Sequence, residues 1–408
     1  MLDTLKRHIY DIGLLPSLIS FLIIIPVVGG LPSWCSNSIY VAYIIAIMYI
    51  GRYRMKIEAL PLFLLIYIPI SILIAKPSPV FHPWERFFTF SLLYVSISPM
   101  IQSYSARLFR HQLLMSSLQL CVLISIISFF CYFLNINLFD MSNRESFRDG
   151  EELIYTEFIG TFSGILRHSM VLGIIAGISI IYLFDIYLRK KSPIVMFMMG
   201  LAVMASLFAA SRGAIIATII GILYGMSKNL GIKRSLIKII YATAIIVVLV
   251  YPFINKYVDD VIYKHENVET GIYDTRTEKI EFRLSEFKNS PIIGIGFASI
   301  DTEGDDRYDI QTGTIEPGSS WLAALSMTGI VGFLLFASMA CHSYRMTCNP
   351  TNFLQMSLLL FFFVHMLVEG YIYSAGNPIS SIMWLVIATS YDLGYGKNDF
   401  YNDKLYLK

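Results

Sequence analysis

The stretch PIVMFMMGLAVMASLFAASRGAIIATIIGILYGM runs from Pro193 to Met226 and is hydrophobic except at Ser211-Arg212-Gly213. As one helix it would be about 50 Å long, which is too long for a single crossing of a bilayer. Basic residues lie on both sides of it: Arg189, Lys190 and Lys191 before, and Lys228, Lys233 and Arg234 after. Short loops rich in lysine and arginine face the cytoplasm. The stretch therefore predicts a membrane hairpin with Arg212 at its external turn.

Arg212 lies on spans so short that its guanidinium is expected at or below the lipid headgroups. A cation at that depth is costly unless it pairs with an anion or faces a water-filled cavity, and this makes Arg212 a candidate binding residue. The alternative is an arginine whose side chain extends to the external headgroups.

The composition of the whole chain is also typical of a membrane protein. Of 408 residues, 56% are hydrophobic and 15% are charged, and the mean hydropathy is +0.63. This leaves too little polar surface to cover a soluble globule, so we expect an all-α polytopic membrane protein. The net charge of +2 gives no indication of nucleic-acid binding. The five cysteines show no metal-ligand spacing, and we expect no metal site and no cofactor.

Hydrophobic runs long enough to cross a bilayer recur along the chain. We place about twelve, near residues 12–31, 37–51, 58–75, 86–101, 112–134, 168–188, 192–210, 213–227, 236–254, 320–341, 352–369 and 376–391. Lysine and arginine concentrate in alternate short loops, which predicts both termini in the cytoplasm. The same alternation places two longer loops outside, about 136–167 and 255–319.

The 255–319 loop is expected to contain most of the residues that can take part in chemistry outside the bilayer. Thr275 and Glu278 have the spacing of a helix-capping box, and Pro291 ends the helix that they start, so we predict a helix over about 276–289. Its apolar stripe, Ile280, Leu284 and Phe287, shares one half of the helical wheel with Arg276 and Arg283. These arginines bind either anionic lipid headgroups or a substrate phosphate between loop and bundle.

Other candidates lie where external loops enter the membrane. Glu316 precedes the tenth span, next to Ser319 and to Trp321, an aromatic ring suited to stacking on a sugar. Glu369 follows His365 by four residues in an apolar setting and could pair with an arginine. His168 opens the sixth span, where it is either a ligand contact or interfacial packing. We take Glu316 as a candidate catalytic carboxylate and the others as candidate substrate-binding residues.

Three motifs in order resemble a known family. Ser211-Arg212-Gly213 opens a span, Arg276 stands fifteen residues before Pro291-Ile-Ile-Gly-Ile-Gly, and Gly329-Ile-Val-Gly332 lies inside the next span. Over about 160–390 this pattern resembles the O-antigen ligase and O-antigen polymerase membrane proteins of bacteria.

The resemblance implies a GT-C-like bundle of about twelve helices in the bacterial inner (cytoplasmic) membrane, with one large periplasmic loop. It implies transfer of a glycan from an undecaprenyl-pyrophosphate carrier to an acceptor, with inversion and without a nucleotide sugar or a required metal. Arg212 and Arg276 match the family arginines thought to hold the donor pyrophosphate. The lipid bilayer and a chain-length regulator are further expected partners.

The sequence departs from the ligases at Gly318, where they carry a histidine eleven residues before the Gly-Ile-Val-Gly segment. Glu316 is the nearest residue able to act as a base in its place. This favours a polymerase of O-antigen, capsule or exopolysaccharide over a lipid A-core ligase. A transporter or flippase is the alternative of another class, but such proteins usually show two related halves, and we find no internal repeat.

The resemblance also divides the chain. Residues 1–160 are predicted to be N-terminal transmembrane helices with the external loop at about 136–167. Residues 161–391 are the family-like core that contains the periplasmic loop 255–319, and residues 392–408 form a cytoplasmic tail.

Overall fold

The computed structural model describes residues 38, 41, 44, 56–134, 136, 162–166, 168–230, 272–300, 308–309, 314–315, 318–348, 352–374 and 377–395. Within these residues the fold is almost entirely helical. The helices are α1 Ala59–Ala75, α2 Pro83–Ile97, α3 Tyr104–Phe133, α4 Ser169–Lys190, α5 Pro193–Phe208, α6 Arg212–Leu230, α7 Ile272–Asn289, α8 Ser320–Thr347, α9 Phe353–His365 and α10 Pro378–Asp392. Short 3₁₀ turns cover Pro79–Phe81 and Leu393–Tyr395.

Four two-residue strands complete the described elements. β1 (Lys56–Ile57) pairs antiparallel with β2 (Ile101–Gln102), and β3 (Tyr308–Asp309) pairs with β4 (Thr314–Ile315). Residue contacts divide the chain into two compact units. The first holds α1, α2, the part of α3 up to Ser117, and α7 to α10; the second holds α3 from Leu118 onward and α4 to α6.

The predicted spans coincide with helices wherever the structure describes them. The runs from 58–75 through 213–227 correspond in order to α1 to α6, and the last three runs correspond to α8, α9 and α10. The runs at 12–31, 37–51 and 236–254 lie wholly or almost wholly outside the described residues. The helical fold is thus confirmed, while the number of twelve spans stays a prediction.

Three described helices are long and apolar enough to cross a membrane: Ala106–Phe133 within α3, α4 and α8. Shorter apolar helices are α1, α5 and α9. Large apolar side chains are exposed on α1 and α5, among them Phe63, Leu73, Ile194 and Phe197. Such surfaces are stable against lipid tails but not against water. The chain is therefore a multi-pass membrane protein.

The first unit has an aromatic core around Trp384 of α10. Its ring centroid lies 5.1 Å from that of Tyr94, 6.0 Å from Phe90 and 5.7 Å from Phe336. These rings meet edge to face, which is a favourable arrangement of aromatic quadrupoles. The cluster packs α2, α8 and α10 together.

A buried ion pair joins α3 to the end of α10. Arg110 has no exposed surface, and its Nε and Nη2 atoms donate to the two carboxylate oxygens of Asp392, both at 2.8 Å. Its Nη1 donates to the Ile101 carbonyl at 2.9 Å, and Gln102 donates to the same carboxylate at 2.9 Å. Helix α10 thus ends at Asp392, one residue past the predicted boundary at 391. The hydrogen bonds of the Asp392 carboxylate hold this residue in the core.

We expect Arg110→Ala to destabilise the protein by about 3–5 kcal/mol, because it leaves the Asp392 carboxylate buried without its cation. The double variant Arg110→Met/Asp392→Leu should recover most of that loss, since it removes both charges. Thermal unfolding of the purified protein in detergent measures both. Arg345→Ala, at an exposed arginine of α8, is the control and should change stability by about 0.5 kcal/mol or less. Equal unfolding temperatures for Arg110→Ala and wild type would contradict the assignment.

The second unit is built around α4, which is buried along most of its length and packs against α5 and α6. Ser125 of α3 and Ser179 of α4 lie with their hydroxyl oxygens 3.1 Å apart, so a hydrogen bond supports this apolar contact. Gly164, at a φ of +61°, comes so close to Ser128 that a Cβ atom would lie 2.6 Å from the serine Cβ. The small residues thus set the spacing of this unit.

Candidate functional site

The chain breaks between α5 and α6, as the sequence predicts. Ala210 adopts a φ of +49°, a left-handed conformation that is unfavourable for alanine, and α6 begins two residues later at Arg212. Gly173 of α4 faces this turn, and a Cβ atom there would lie only 2.3 Å from the Cβ of Ser211. The absence of a side chain at Gly173 lets the turn pack tightly against α4, which fixes the position of Arg212.

The guanidinium of Arg212 is only partly satisfied. Its Nε and one terminal nitrogen are buried, and neither has a hydrogen-bond partner in the part of the chain that the structure describes. Buried N–H groups of a cation without acceptors are costly, so such an arrangement is suited to receiving an anion. The first turn of α6 also presents backbone N–H groups beside it, which favours negative charge at the same place.

Helix α7 lies in the first unit and starts earlier than predicted. It covers Ile272–Asn289, so its C-terminal end agrees with the prediction, but Thr275 lies within the helix rather than at its start. The capping-box interpretation is therefore wrong, because the helix continues for a further turn on its N-terminal side. Arg276 is part of α7, and its side chain lies outside the described residues.

The side chain of Arg283 lies inside the protein. It is 1% exposed, and its Nη1 donates to Glu286 Oε2 at 2.8 Å and to Ser326 Oγ of α8 at 3.2 Å. Ile280 and Leu284, which the helical wheel placed on the packed side, are exposed. The charged pair can be buried because each member neutralises the other, whereas the two apolar residues are left for a lipid or loop surface. These contacts give Arg283 a role in joining α7 to α8, and its predicted substrate binding stays untested.

Helix α8 is interrupted at Gly329, whose φ of +62° and ψ of −172° are not helical. This backbone region is accessible almost only to glycine. An interruption leaves carbonyl groups without partners on one side and N–H groups without partners on the other. Within a membrane protein these groups must find partners inside the fold.

The Pro291–Gly296 segment supplies those partners. The N–H groups of Ile295 and Gly296 donate to the carbonyls of residues 326 and 327, at 2.9 and 3.1 Å. On the other side of the interruption, the N–H of Ile330 donates to the Pro291 carbonyl at 2.9 Å. The Pro-Ile-Ile-Gly-Ile-Gly motif is thus a backbone clamp on the interrupted helix.

The clamp requires glycine on both sides. A Cβ atom on Gly294 would lie 2.5 Å from the carbonyl of Met327, and one on Gly329 would lie 2.3 Å from the Ile292 oxygen. Tyr67 of α1 completes the site, because its hydroxyl donates to the Thr328 carbonyl at 2.9 Å. The two glycine motifs identified in the sequence therefore form one structural feature.

The start of α8 holds two of the predicted substrate-binding residues. Ser319 caps the helix and its hydroxyl donates to the Met366 carbonyl at 3.0 Å. The indole N–H of Trp321 donates to the Phe363 carbonyl at 3.0 Å, and its ring packs 5.3 Å from that of Phe336. Both side chains thus connect α8 to its neighbours within the first unit.

Gly318 precedes them with a φ of +70°, the left-handed region that favours glycine. A histidine, as in the ligases that the sequence resembles, would be strained in this backbone conformation. Glu316, the predicted base, lies outside the described residues.

Glu369 lies in the turn after α9 and is partly exposed. Its backbone carbonyl accepts hydrogen bonds from Ser320 at the start of α8, at 3.0 Å from the N–H and 2.7 Å from the hydroxyl. Tyr371, two residues later, is buried with its hydroxyl 3.2 Å from His365 Nδ1. Sequence reasoning noted His365 only for its spacing from Glu369, and it gave no signal for Tyr371, which looks like any other aromatic residue.

His168, a further predicted substrate contact, is the residue before α4. Its exposed imidazole accepts a hydrogen bond from the N–H of Met170 through Nδ1 at 3.1 Å. It therefore caps the helix. In the first unit the structure brings Ser319, Trp321 and Glu369 together at the start of α8, while Arg212 and His168 belong to the second unit.

No group of three or more histidine, cysteine, aspartate or glutamate side chains in the described residues could hold a metal ion.

The helices above define a multi-pass membrane protein. Residues 197–337 match the family model described as O-antigen ligase, and this segment contains Arg212, Arg276 and both glycine motifs. This match bears out the family resemblance seen in the sequence, and it supports a general role of the O-antigen ligase and polymerase type in polysaccharide biosynthesis. No curated protein matches the chain.

Proposed function

We propose that this protein is a membrane glycosyltransferase that polymerises undecaprenyl-pyrophosphate-linked oligosaccharide units at the periplasmic face of the bacterial inner membrane. The products are O-antigen, capsule or exopolysaccharide chains. The donor lipid stays in the bilayer while its glycan projects outward, and a chain-length regulator is a candidate partner.

The observation that carries this proposal is the Arg212 guanidinium, with two buried nitrogens that have no acceptor among the described residues. Arg212 lies within the matched segment and is packed in place by the close approach of Ser211 to Gly173. Guanidinium groups bind phosphate oxygens in a bidentate manner, so a pyrophosphate is a fitting anion for this position.

The reaction needs little covalent participation by the protein. An acceptor hydroxyl attacks the anomeric carbon, the bond from that carbon to the pyrophosphate oxygen breaks, and the lipid pyrophosphate leaves with the electron pair. Arg212 stabilises the charge that develops on the leaving group, which is usually the largest catalytic contribution. For Arg276 the family resemblance suggests a role in donor binding. A carboxylate on the acceptor side, for which the sequence suggests Glu316, takes the hydroxyl proton.

Gly318 supports a polymerase over a ligase. The ligases resembled by the sequence carry a histidine at this position, whereas here the backbone has a φ of +70° and a side chain would be strained. A different acceptor-side residue is therefore needed, as expected if the acceptor is a growing glycan rather than lipid A-core.

Gel analysis of surface polysaccharide from a deletion strain tests the proposal, with complementation by wild type and by Arg276→Ala. If the protein is a polymerase, the deletion strain should lose the polysaccharide ladder while a single repeat unit remains on its acceptor. The Arg276→Ala variant should not restore the ladder. Complete loss from the acceptor with carrier-linked polymer accumulating would show the ligase alternative. Glycan units trapped inside the cell would show a flippase and overturn the proposal.

A further inference from the structure

Helix α6 has two faces of different character. Ala214 and Ala217 on one face are buried, and a Cβ atom on Gly173 of α4 would lie 3.5 Å from the Ala214 Cβ, so this face packs against α4. Small residues there let the two helices approach closely. On the other face Ile216 and Ile219 are 54% and 49% exposed. The bulky side chains of α6 therefore face outward, where a membrane protein meets lipid chains.

Arg212 stands at the upper end of this exposed face. Residues three or four positions apart lie on one side of a helix, so Arg212, Ile216 and Ile219 share a side, and the exposed Ile220 extends it. We call the three isoleucines the isoleucine face of α6. From Arg212 it runs about 12 Å along the helix axis. The hydrocarbon of one leaflet is about 15 Å thick, so a cation above this face matches a lipid with a charged head group.

The charge of Arg212 selects an anionic head group. In the described part of the second unit the one acidic residue is Asp185, and it forms an ion pair with Arg189 near the C-terminal end of α4. The turn before α6 packs on Gly173, about 18 Å away along that helix. Asp185 therefore does not neutralise Arg212, whose two buried nitrogens lack acceptors among the described residues.

We propose that the isoleucine face of α6 holds the isoprenoid chain of a lipid pyrophosphate whose phosphates are bound by Arg212. This inference rests on the proposed function and adds to it a place for the carrier lipid. Every residue that it uses lies in the second unit. β-branched side chains are rigid at χ1, so the isoleucines present a preorganised surface to a methyl-branched chain. Lipid tails are as apolar as these side chains, so packing and the head group select the ligand.

A kinetic test compares two donors that carry the same glycan, one on undecaprenyl pyrophosphate and one on geranyl pyrophosphate. In vesicles the wild-type protein should have the lower KM for the undecaprenyl donor. Ile216→Ala/Ile219→Ala shortens both side chains and removes packed contacts with the chain, so the ratio of the two KM values should fall by about fivefold or more. The change should appear in KM rather than in kcat, because the chain is bound equally before and during the reaction.

Ile194→Ala is the matched control. Ile194 is 69% exposed and lies at the opposite end of α5 from the turn, so it meets lipid chains but not the chain of a donor held at Arg212. This variant should keep the wild-type ratio of KM values within about twofold. Its unfolding temperature and that of the double variant should both equal that of wild type, since the substituted side chains are exposed.

Photolabelling tests the contact without catalysis. Undecaprenyl pyrophosphate that carries a photoreactive group in its chain and no glycan is irradiated with the protein in phospholipid vesicles, and the labelled peptides are identified. Label should fall on α6, should be displaced by unlabelled undecaprenyl pyrophosphate and should be lost in Arg212→Ala. Equal labelling of α6 and of the first half of α5 that the unlabelled lipid does not displace would show ordinary lipid contact and overturn the inference.

An unchanged ratio of KM values in the double variant would overturn the inference while leaving the proposed function in place. An equal fall of that ratio in Ile194→Ala would overturn it as well, because the effect would then come from any lipid-facing isoleucine. If neither donor supports transfer although α6 is labelled and the label is displaced, the proposed function fails and the lipid site stands.

Discussion

Arg212→Ala is expected to lower glycan transfer by about 100-fold or more, because removing one preorganised donor to a developing charge has an effect of that size. The same variant should keep or slightly raise its unfolding temperature. Two nitrogens of the guanidinium are buried without acceptors in the described part of the chain, so the side chain does not add to stability there. Transfer assays and thermal unfolding of the purified protein measure the two effects.

Arg212→Lys is the matched variant. It keeps the positive charge but loses the planar, bidentate geometry, so we expect transfer to remain impaired. An Arg212→Ala protein that loses stability in parallel with activity would contradict the account. That result would mean that the guanidinium holds the α5–α6 turn rather than a substrate anion.

Gly329→Ala is expected to destabilise the protein by about 3 kcal/mol or more, since it combines a backbone region nearly closed to alanine with a steric clash. The added Cβ would lie 2.3 Å from the Ile292 oxygen, inside the clamp that satisfies the interrupted helix. We expect little folded protein in the membrane and a lower unfolding temperature for what remains. Membrane abundance and thermal unfolding provide the measurements.

Gly200→Ala is the control for this substitution. Gly200 lies inside α5, and a Cβ atom there would meet nothing within 4 Å. Alanine is also the better helix former by about 1 kcal/mol, so this variant should be as stable as wild type or more so. Similar losses for both variants would show that the clamp at Gly329 is unimportant.

The positions of the helices could be predicted because each hydrophobic run is set by the thickness of the bilayer. The break at Ser211-Arg212-Gly213 followed from the same length argument, and the structure places it within a residue or two. Local chemistry alone was enough for these features.

The interruption of α8 could not be predicted in this way. The run at 320–341 is continuously apolar and reads as one span, and Gly329 by itself is compatible with an unbroken helix. The interruption is stable because Pro291–Gly296, more than thirty residues earlier in the chain, supplies the missing hydrogen bonds. That contact is tertiary and leaves no periodic signal.

In the candidate site, too, local sequence indicated some features, whereas others depend on tertiary contacts. Arg212 was identified from the cost of a cation on a short span. Two of its guanidinium nitrogens are buried without acceptors among the described residues, and its role in binding stays a prediction. Ser319 and Trp321 were chosen for their chemistry at a membrane entry, and their polar atoms donate to backbone carbonyls at the C-terminal end of α9. A helical wheel likewise could not show that Arg283 and Glu286 neutralise each other inside the protein.

The most direct test of the central claim uses the purified protein in lipid vesicles with an undecaprenyl-pyrophosphate-linked oligosaccharide. We predict a ladder of longer glycans, with one carrier pyrophosphate released for each new glycosidic bond, and no ladder with Arg212→Ala. Movement of the intact donor across the bilayer without bond formation or carrier release would contradict the account and show a transporter.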